Sequence, residues 1–107
     1  MSSDNILIID DEIDICEQIS DILKDNGFKT KYALSSDNAI KYLSSFKPKL
    51  IILDIWLNNS KHDGFSLLKK VKEFNDRIPV IMISGHGNIE TAISSIKNGA
   101  FDYIEKP

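Results

Sequence analysis

The sequence predicts an α/β domain in which a parallel sheet lies between two layers of helices. Short, nearly continuous apolar runs recur at residues 5–9, 50–53 and 79–83, as strands buried on both faces require. Between these runs the apolar residues switch to a helical spacing, so strands and helices alternate. That alternation builds βαβ units with right-handed crossovers. The 107 residues are 42% hydrophobic and 27% charged, enough to bury one core and too few for a second domain.

The first run ends in Asp10-Asp11. Ile15, Ile19, Ile22 and Leu23 then form one helical stripe, with Asp11 and Asp14 favouring the helix start and Asn26-Gly27 stopping it. Residues 29–33 alternate, as a more exposed strand does. Ser35-Ser36-Asp37 offers a cap to a second helix with Ala39, Ile40, Leu43 and Phe46 inward, and Pro48 closes that region. Residues 50–53 form a buried strand ending in Asp54. A polar loop follows over residues 58–63. Gly64 opens a third helix with Leu67, Leu68, Val71 and Phe74 inward. The strand over 79–83 ends at Ser84-Gly85. Asn88 can cap a fourth helix whose Ile89, Ala92, Ile93 and Ile96 point inward, and Gly99 suits its C-terminal turn. Residues 101–105 read as the last strand, before Lys106-Pro107. An even wrap of five strands needs a fifth helix after Pro107. Residues 1–107 are therefore expected to be one domain, the N-terminal part of a longer chain.

Thirteen basic and sixteen acidic residues give a net charge of -3, which excludes a polybasic nucleic-acid or membrane binder. The single cysteine, Cys16, excludes an internal disulfide and argues against a zinc cage; it is expected at the rim of the first helix. No apolar run approaches the ~20 residues that span a bilayer. Met1-Ser2-Ser3-Asp4 is unlike a signal peptide, so a cytoplasmic location is expected.

Ligands of open α/β sheets bind beyond the carboxyl ends of the strands. Here those ends carry Asp10, Asp11, Asp54, Ser84 and Lys106. Two carboxylates ~4 Å apart repel by about 4 kcal/mol at an effective dielectric near 20, so three of them need a cation. Hard oxygen donors with open positions suit Mg²⁺. The cation, Lys106 and Ser84 could together neutralise phosphoryl oxygens while an aspartate attacks in line and becomes an aspartyl phosphate.

With Asp10-Asp11, Asp54, Ser84-Gly85, Tyr103 and Lys106-Pro107 in these places, the chain resembles, over its whole length, the receiver domains of bacterial two-component response regulators. The resemblance implies a flavodoxin-like three-layer sandwich with a five-stranded parallel sheet in the order 2-1-3-4-5, its final helix missing from this chain. It implies Asp54 as phosphoacceptor. Asp11 and Asp54 would ligate Mg²⁺, Asp10 would act largely through a water, and the backbone carbonyl of Trp56 would complete the protein ligands. Ser84 would be the switch hydroxyl, Tyr103 the aromatic that moves inward with it, and Lys106 the partner of the phosphoryl group. The Lys106–Pro107 bond would be cis, a rare geometry. Asn58 stands where many receivers have proline, and the loop before Gly64 is longer. That loop, with residues 83–92 and 99–107, is similar to NtrX-type regulators, which carry an ATPase domain related to sigma-54 activators and a C-terminal helix-turn-helix.

The implied function is a signalling switch rather than an enzyme: a sensor histidine kinase supplies the phosphoryl group, and the domain catalyses only its own phosphorylation and dephosphorylation. The change would pass to an output domain, with transcription as the regulated process. A homodimer through the face of the fourth helix and fifth strand is the implied assembly, with no direct nucleic-acid or membrane contact. A phosphatase of the haloacid-dehalogenase type would need a second acid where Trp56 stands, and an FMN site would need a phosphate loop where Asp10-Asp11-Glu12 stands. A phosphorylation-independent interaction module of the same fold is the alternative. Simpler readings stay open for Ser84, as a loop cap, and for Tyr103, as a half-buried strand aromatic. His62 and His86 lie in loops with no second ligand at metal spacing, and Lys69, Lys70, Lys72 and Lys97 read as a solvated face.

Overall fold

The computed structural model describes residues 4–57, 63–85 and 89–106. Along them run β1 (Asn5–Ile9), α1 (Ile13–Asp25), β2 (Lys29–Ala33), α2 (Ser36–Ser45), β3 (Leu50–Asp54), α3 (Gly64–Phe74), β4 (Val80–Ser84), α4 (Ile89–Lys97) and β5 (Asp102–Glu105). The five strands are parallel and ordered β2-β1-β3-β4-β5. The order reverses at β1 and β3, which makes their carboxyl ends the switch point where such sheets bind ligands. The expected fold and strand order are therefore present.

Successive strand residues point to opposite faces. Leu7, Ile9, Ile51, Leu53, Val80 and Met82 form one core with Ala39 and Leu43 of α2 and Leu67, Leu68 and Val71 of α3. Helix α1 packs on β1 and β2 and contributes nothing to that core. It covers the other face, where Ile6 and Ile8 are buried. Farther along this second face Ile52 and Ile81 are half-buried, and Ile104 is 50% exposed.

Two helices differ in part from the expected orientation. In α1 the expected Ile15, Ile19 and Leu23 are half-buried beside the buried Cys16 and Ser20, and of that stripe Ile22 alone turns out, 62% exposed. Cys16 is fully buried, not at a rim; its thiol donates to the Asp10 carbonyl at 3.3 Å. The Ser20 and Thr30 hydroxyls share a hydrogen bond of 2.5 Å. In α4 the buried residue is Ser95, whose hydroxyl bonds the Thr91 carbonyl, and Ile89, Ile93 and Ile96 are exposed. Small side chains with hydrogen-bond partners let both helices approach the sheet closely, and an apolar stripe cannot signal that. Ile40 and Phe74 likewise stay exposed, and Phe101 lies outside β5 and is exposed. The Asn88 cap and the 58–62 loop lie outside the described residues.

Two acids or hydroxyls fix helix starts: Ser35 accepts from the Asn38 amide, and Asp63 accepts from the Ser66 amide at 2.8 Å. Asp63 thus caps α3, with Gly64 as its first residue. The Gly64 amide donates to the Ile55 carbonyl at 2.9 Å. A Cβ there would strike the Asp54 carbonyl and lie 2.5 Å from Ile55 Cα. Gly64→Ala is expected to cost about 2–3 kcal/mol, as overpacking against backbone does, read as a lowered midpoint in urea denaturation. An unchanged midpoint would refute this close approach.

Candidate functional site

The site forms where β1, β3, β4 and β5 end together. Asp10 follows β1 and is fully buried; its amide continues the ladder to the Ala33 carbonyl at 3.1 Å, and the Glu12 amide donates to its Oδ1 at 2.9 Å. Asp54 is the last residue of β3 and only 2% exposed, and its Oδ1 accepts from the Trp56 amide at 3.2 Å. Ser84 ends β4, fully buried, paired in register with Glu105. The Lys106 amide donates to the Ser84 carbonyl at 2.9 Å. That bond turns the Lys106 side chain across the strand ends.

The Lys106 ammonium lies 2.9 Å from Asp10 Oδ2, 3.3 Å from Asp54 Oδ2 and 3.4 Å from Glu12 Oε1. One cation thus meets three carboxylates, with Asp11 half-buried beside them. Burial pushes Asp54 up to about 6, and the neighbouring Asp10 charge adds to this against the pull of Lys106. Burial also raises Asp10 above the ordinary carboxylate range. Burial alone would lower Lys106, but its close contact with Asp10 and the Asp54 and Asp10 charges outweigh that and hold it above the usual lysine range. Burial pushes the Cys16 thiol up to about 12, so it stays protonated at neutral pH and is a packing group rather than a nucleophile.

This donor set fits a hard divalent cation. Carboxylate oxygens of Asp10, Asp11 and Glu12 lie within 4.8 Å of one another. Asp10 Oδ2 is buried and, although paired in charge with Lys106, accepts no aligned hydrogen bond. A buried, underused oxygen beside a second carboxylate is the environment that six-coordinate oxygen-seeking ions occupy.

The sequence-derived residues Asp10, Asp11, Asp54, Ser84 and Lys106 thus converge on one edge. Trp56 is next to them through its amide, with its ring half exposed. Tyr103 sits in β5 opposite Met82 and packs against the core; its buried hydroxyl finds no hydrogen-bond partner among the described residues. Pro107, and with it the expected cis bond, lies outside the described residues, as do His62 and His86. Glu12 was missed as a partner of Lys106. The only sequence signal was its place beside the two aspartates, since the pair spans 94 positions.

A family model described as "Response regulator receiver domain" matches residues 6–107. The chain belongs to this family. It is similar to the nitrogen assimilation regulatory protein NtrX of Azorhizobium caulinodans, 50% identical over 103 residues, covering 96% of this chain and 23% of the relative. A putative NtrX-like response regulator of Rickettsia bellii is 51% identical over 107 residues, covering 100% of this chain and 22% of that protein. The receiver therefore spans under a quarter of the length of these curated relatives. Among solved structures, NtrX from Brucella abortus superposes with a TM-score of 0.94 at 47% identity, covering 99% of this chain and 24% of that one. The isolated receiver domain of the same protein gives 0.91 at 49% identity, with 95% and 85% covered.

Proposed function

We propose that this receiver is a phosphorylation-driven switch of a two-component system, loaded on Asp54 by a sensor histidine kinase. The observation that carries the reading is Lys106 bridging Asp10 and Asp54 at the sheet edge, beside a cation-fitting carboxylate cluster. An Asp54 carboxylate oxygen forms a bond to phosphorus while the bond from phosphorus to the kinase imidazole nitrogen breaks, and the imidazole leaves with that electron pair. Asp11, Asp54 and the Trp56 carbonyl would hold Mg²⁺, with Asp10 acting through a water. When bound, the cation supplies positive charge to the phosphoryl oxygens. Lys106 leaves its carboxylates for one of those oxygens, and the Ser84 hydroxyl donates to another. Water later returns the group as inorganic phosphate, so the chemistry of the domain is confined to itself.

The phosphoryl contacts favour an arrangement in which Ser84 and Tyr103 move together. The Tyr103 hydroxyl supports this, since a buried polar group with no partner among the described residues gains by moving to one. The apolar Ile93 and Ile96 on α4, with Ile104 on β5, offer a surface for a homodimer that would pass the signal on. The NtrX likeness, and 32% identity to the transcriptional regulatory protein ZraR of Escherichia coli, support output through ATPase and DNA-binding domains in transcription. No helix among the described residues is long and apolar enough to cross a membrane, in keeping with a cytoplasmic regulator.

Intact mass after incubation with acetyl phosphate tests the reading. One phosphoryl adduct is expected on the parent with Mg²⁺, and none on Asp54→Asn or after chelation. No adduct on a chain shown to be folded by circular dichroism would favour the phosphorylation-independent interaction module.

A further inference from the structure

We propose that the groove between the C-terminal ends of α2 and α3 docks an acidic segment of a partner protein through one large apolar side chain. The groove is at the opposite edge of the sheet from Asp54 and has a volume of about 590 Å³. Leu43 and Ile78 form its floor, Phe74 is an apolar wall that stays 53% exposed, and Lys47, Lys49 and Arg77 rim it. No carboxylate lines it, and none of the three cations makes an ion pair among the described residues. In a chain of net charge -3, this is a local excess of positive charge over an apolar floor. An apolar centre inside a polar rim is the anatomy of a protein contact. The rim selects acidic flanks, and the floor selects an aromatic or branched anchor. A nucleic acid would meet the overall negative charge of the domain and a floor with little to offer its backbone.

The backbone gives a second, independent observation. Lys47 has φ of 54°, in the left-handed region, and directly precedes Pro48. A glycine adopts that conformation freely and a lysine does not. The helix-end dipole attracts cations, but Lys47 is beyond the end of α2, and a glycine would serve the turn better. A charge held at conformational cost on the rim of an apolar groove fits a binding role.

The test is a ¹⁵N-resolved NMR titration of the chain with a short peptide of Glu and Asp around a central Phe. Saturable shifts are expected at Leu43, Phe74 and Arg77. Affinity should fall at least about fivefold with Arg77→Glu or a central Ala, and should weaken as salt shortens the screening length. Lys47→Gly should also weaken binding while leaving the thermal midpoint unchanged or higher, a pattern that damage to the fold cannot produce. No saturable shift at these residues, equal binding of a Lys-rich control peptide, or sedimentation showing the groove filled by a second copy would each overturn the proposal.

Discussion

At pH 8 without divalent cation, Asp54→Asn is expected to be more stable than the parent by roughly 1–3 kcal/mol. Asp54 is buried, and burial with the Asp10 charge lifts it from 3.8 to about 6. The folded chain therefore binds this proton more tightly than the unfolded chain. Between about pH 4 and pH 6 the folded state carries the extra proton, so stability falls as pH rises through that window. Above it the full cost of a buried charge is present, about 3 kcal/mol for two pH units. Asparagine removes that cost but forfeits the contact with Lys106, which sets the lower end of the range. Near pH 4 the two proteins should converge. A cation bound only by the folded state adds about 2.7 kcal/mol at a hundredfold excess over its dissociation constant. Mg²⁺ should therefore stabilise the parent more than the variant, which lacks one carboxylate. Urea denaturation at pH 4 and pH 8, with and without Mg²⁺, measures all of this. A parent at least as stable as Asp54→Asn at pH 8 without cation would show that Lys106 already compensates the buried charge.

The same imbalance explains why so much of the site could be read from the sequence. Asp10, Asp54 and Ser84 each close or follow an apolar run, and Lys106 follows the last strand. A parallel sheet brings all such ends to one edge, so chain order and strand direction place them without any side-chain detail. What the sequence withheld depends on rotation and reach. The isoleucines of α4 suggested its inner face, yet Ser95 is buried there because a hydroxyl bonded within its own helix packs closer than a branched side chain. In α1 the buried Cys16 and Ser20 bond outside the helix, to the Asp10 carbonyl and the Thr30 hydroxyl, while Ile22 turns outward. Glu12 joins the site because the Lys106 side chain extends over it and its carboxylate lies near those of Asp10 and Asp11. The raised Asp54 value follows from near-complete exclusion of water, which no local pattern encodes.

Lys106→Met is expected to lower stability at pH 8 without cation by about 3 kcal/mol, since removing one member of a buried ion pair leaves the other charge uncompensated. The Lys106 side chain is 8% exposed and contacts Asp10 and Asp54, both almost fully buried. Methionine keeps most of the apolar stem and removes only the charge. The loss should shrink near pH 5, where Asp54 takes up a proton. Without the ammonium, Asp54 should titrate higher than in the parent, which extends the pH range over which stability falls. In the double variant with Asp54→Asn, the penalty of Lys106→Met should be smaller by about 1–2 kcal/mol, the coupling expected of groups in direct contact. Mg²⁺ should restore part of the loss by supplying positive charge to the remaining carboxylates. Glu12 serves as the control: its side chain is 62% exposed, and such surface pairs contribute under ~1 kcal/mol, so Glu12→Gln should change stability little at either pH. Equal penalties for Lys106→Met in the parent and in Asp54→Asn would refute the coupling. The Lys106 contribution would then lie in its contact with Asp10 alone, and release of Lys106 from Asp54 could not be part of the switch.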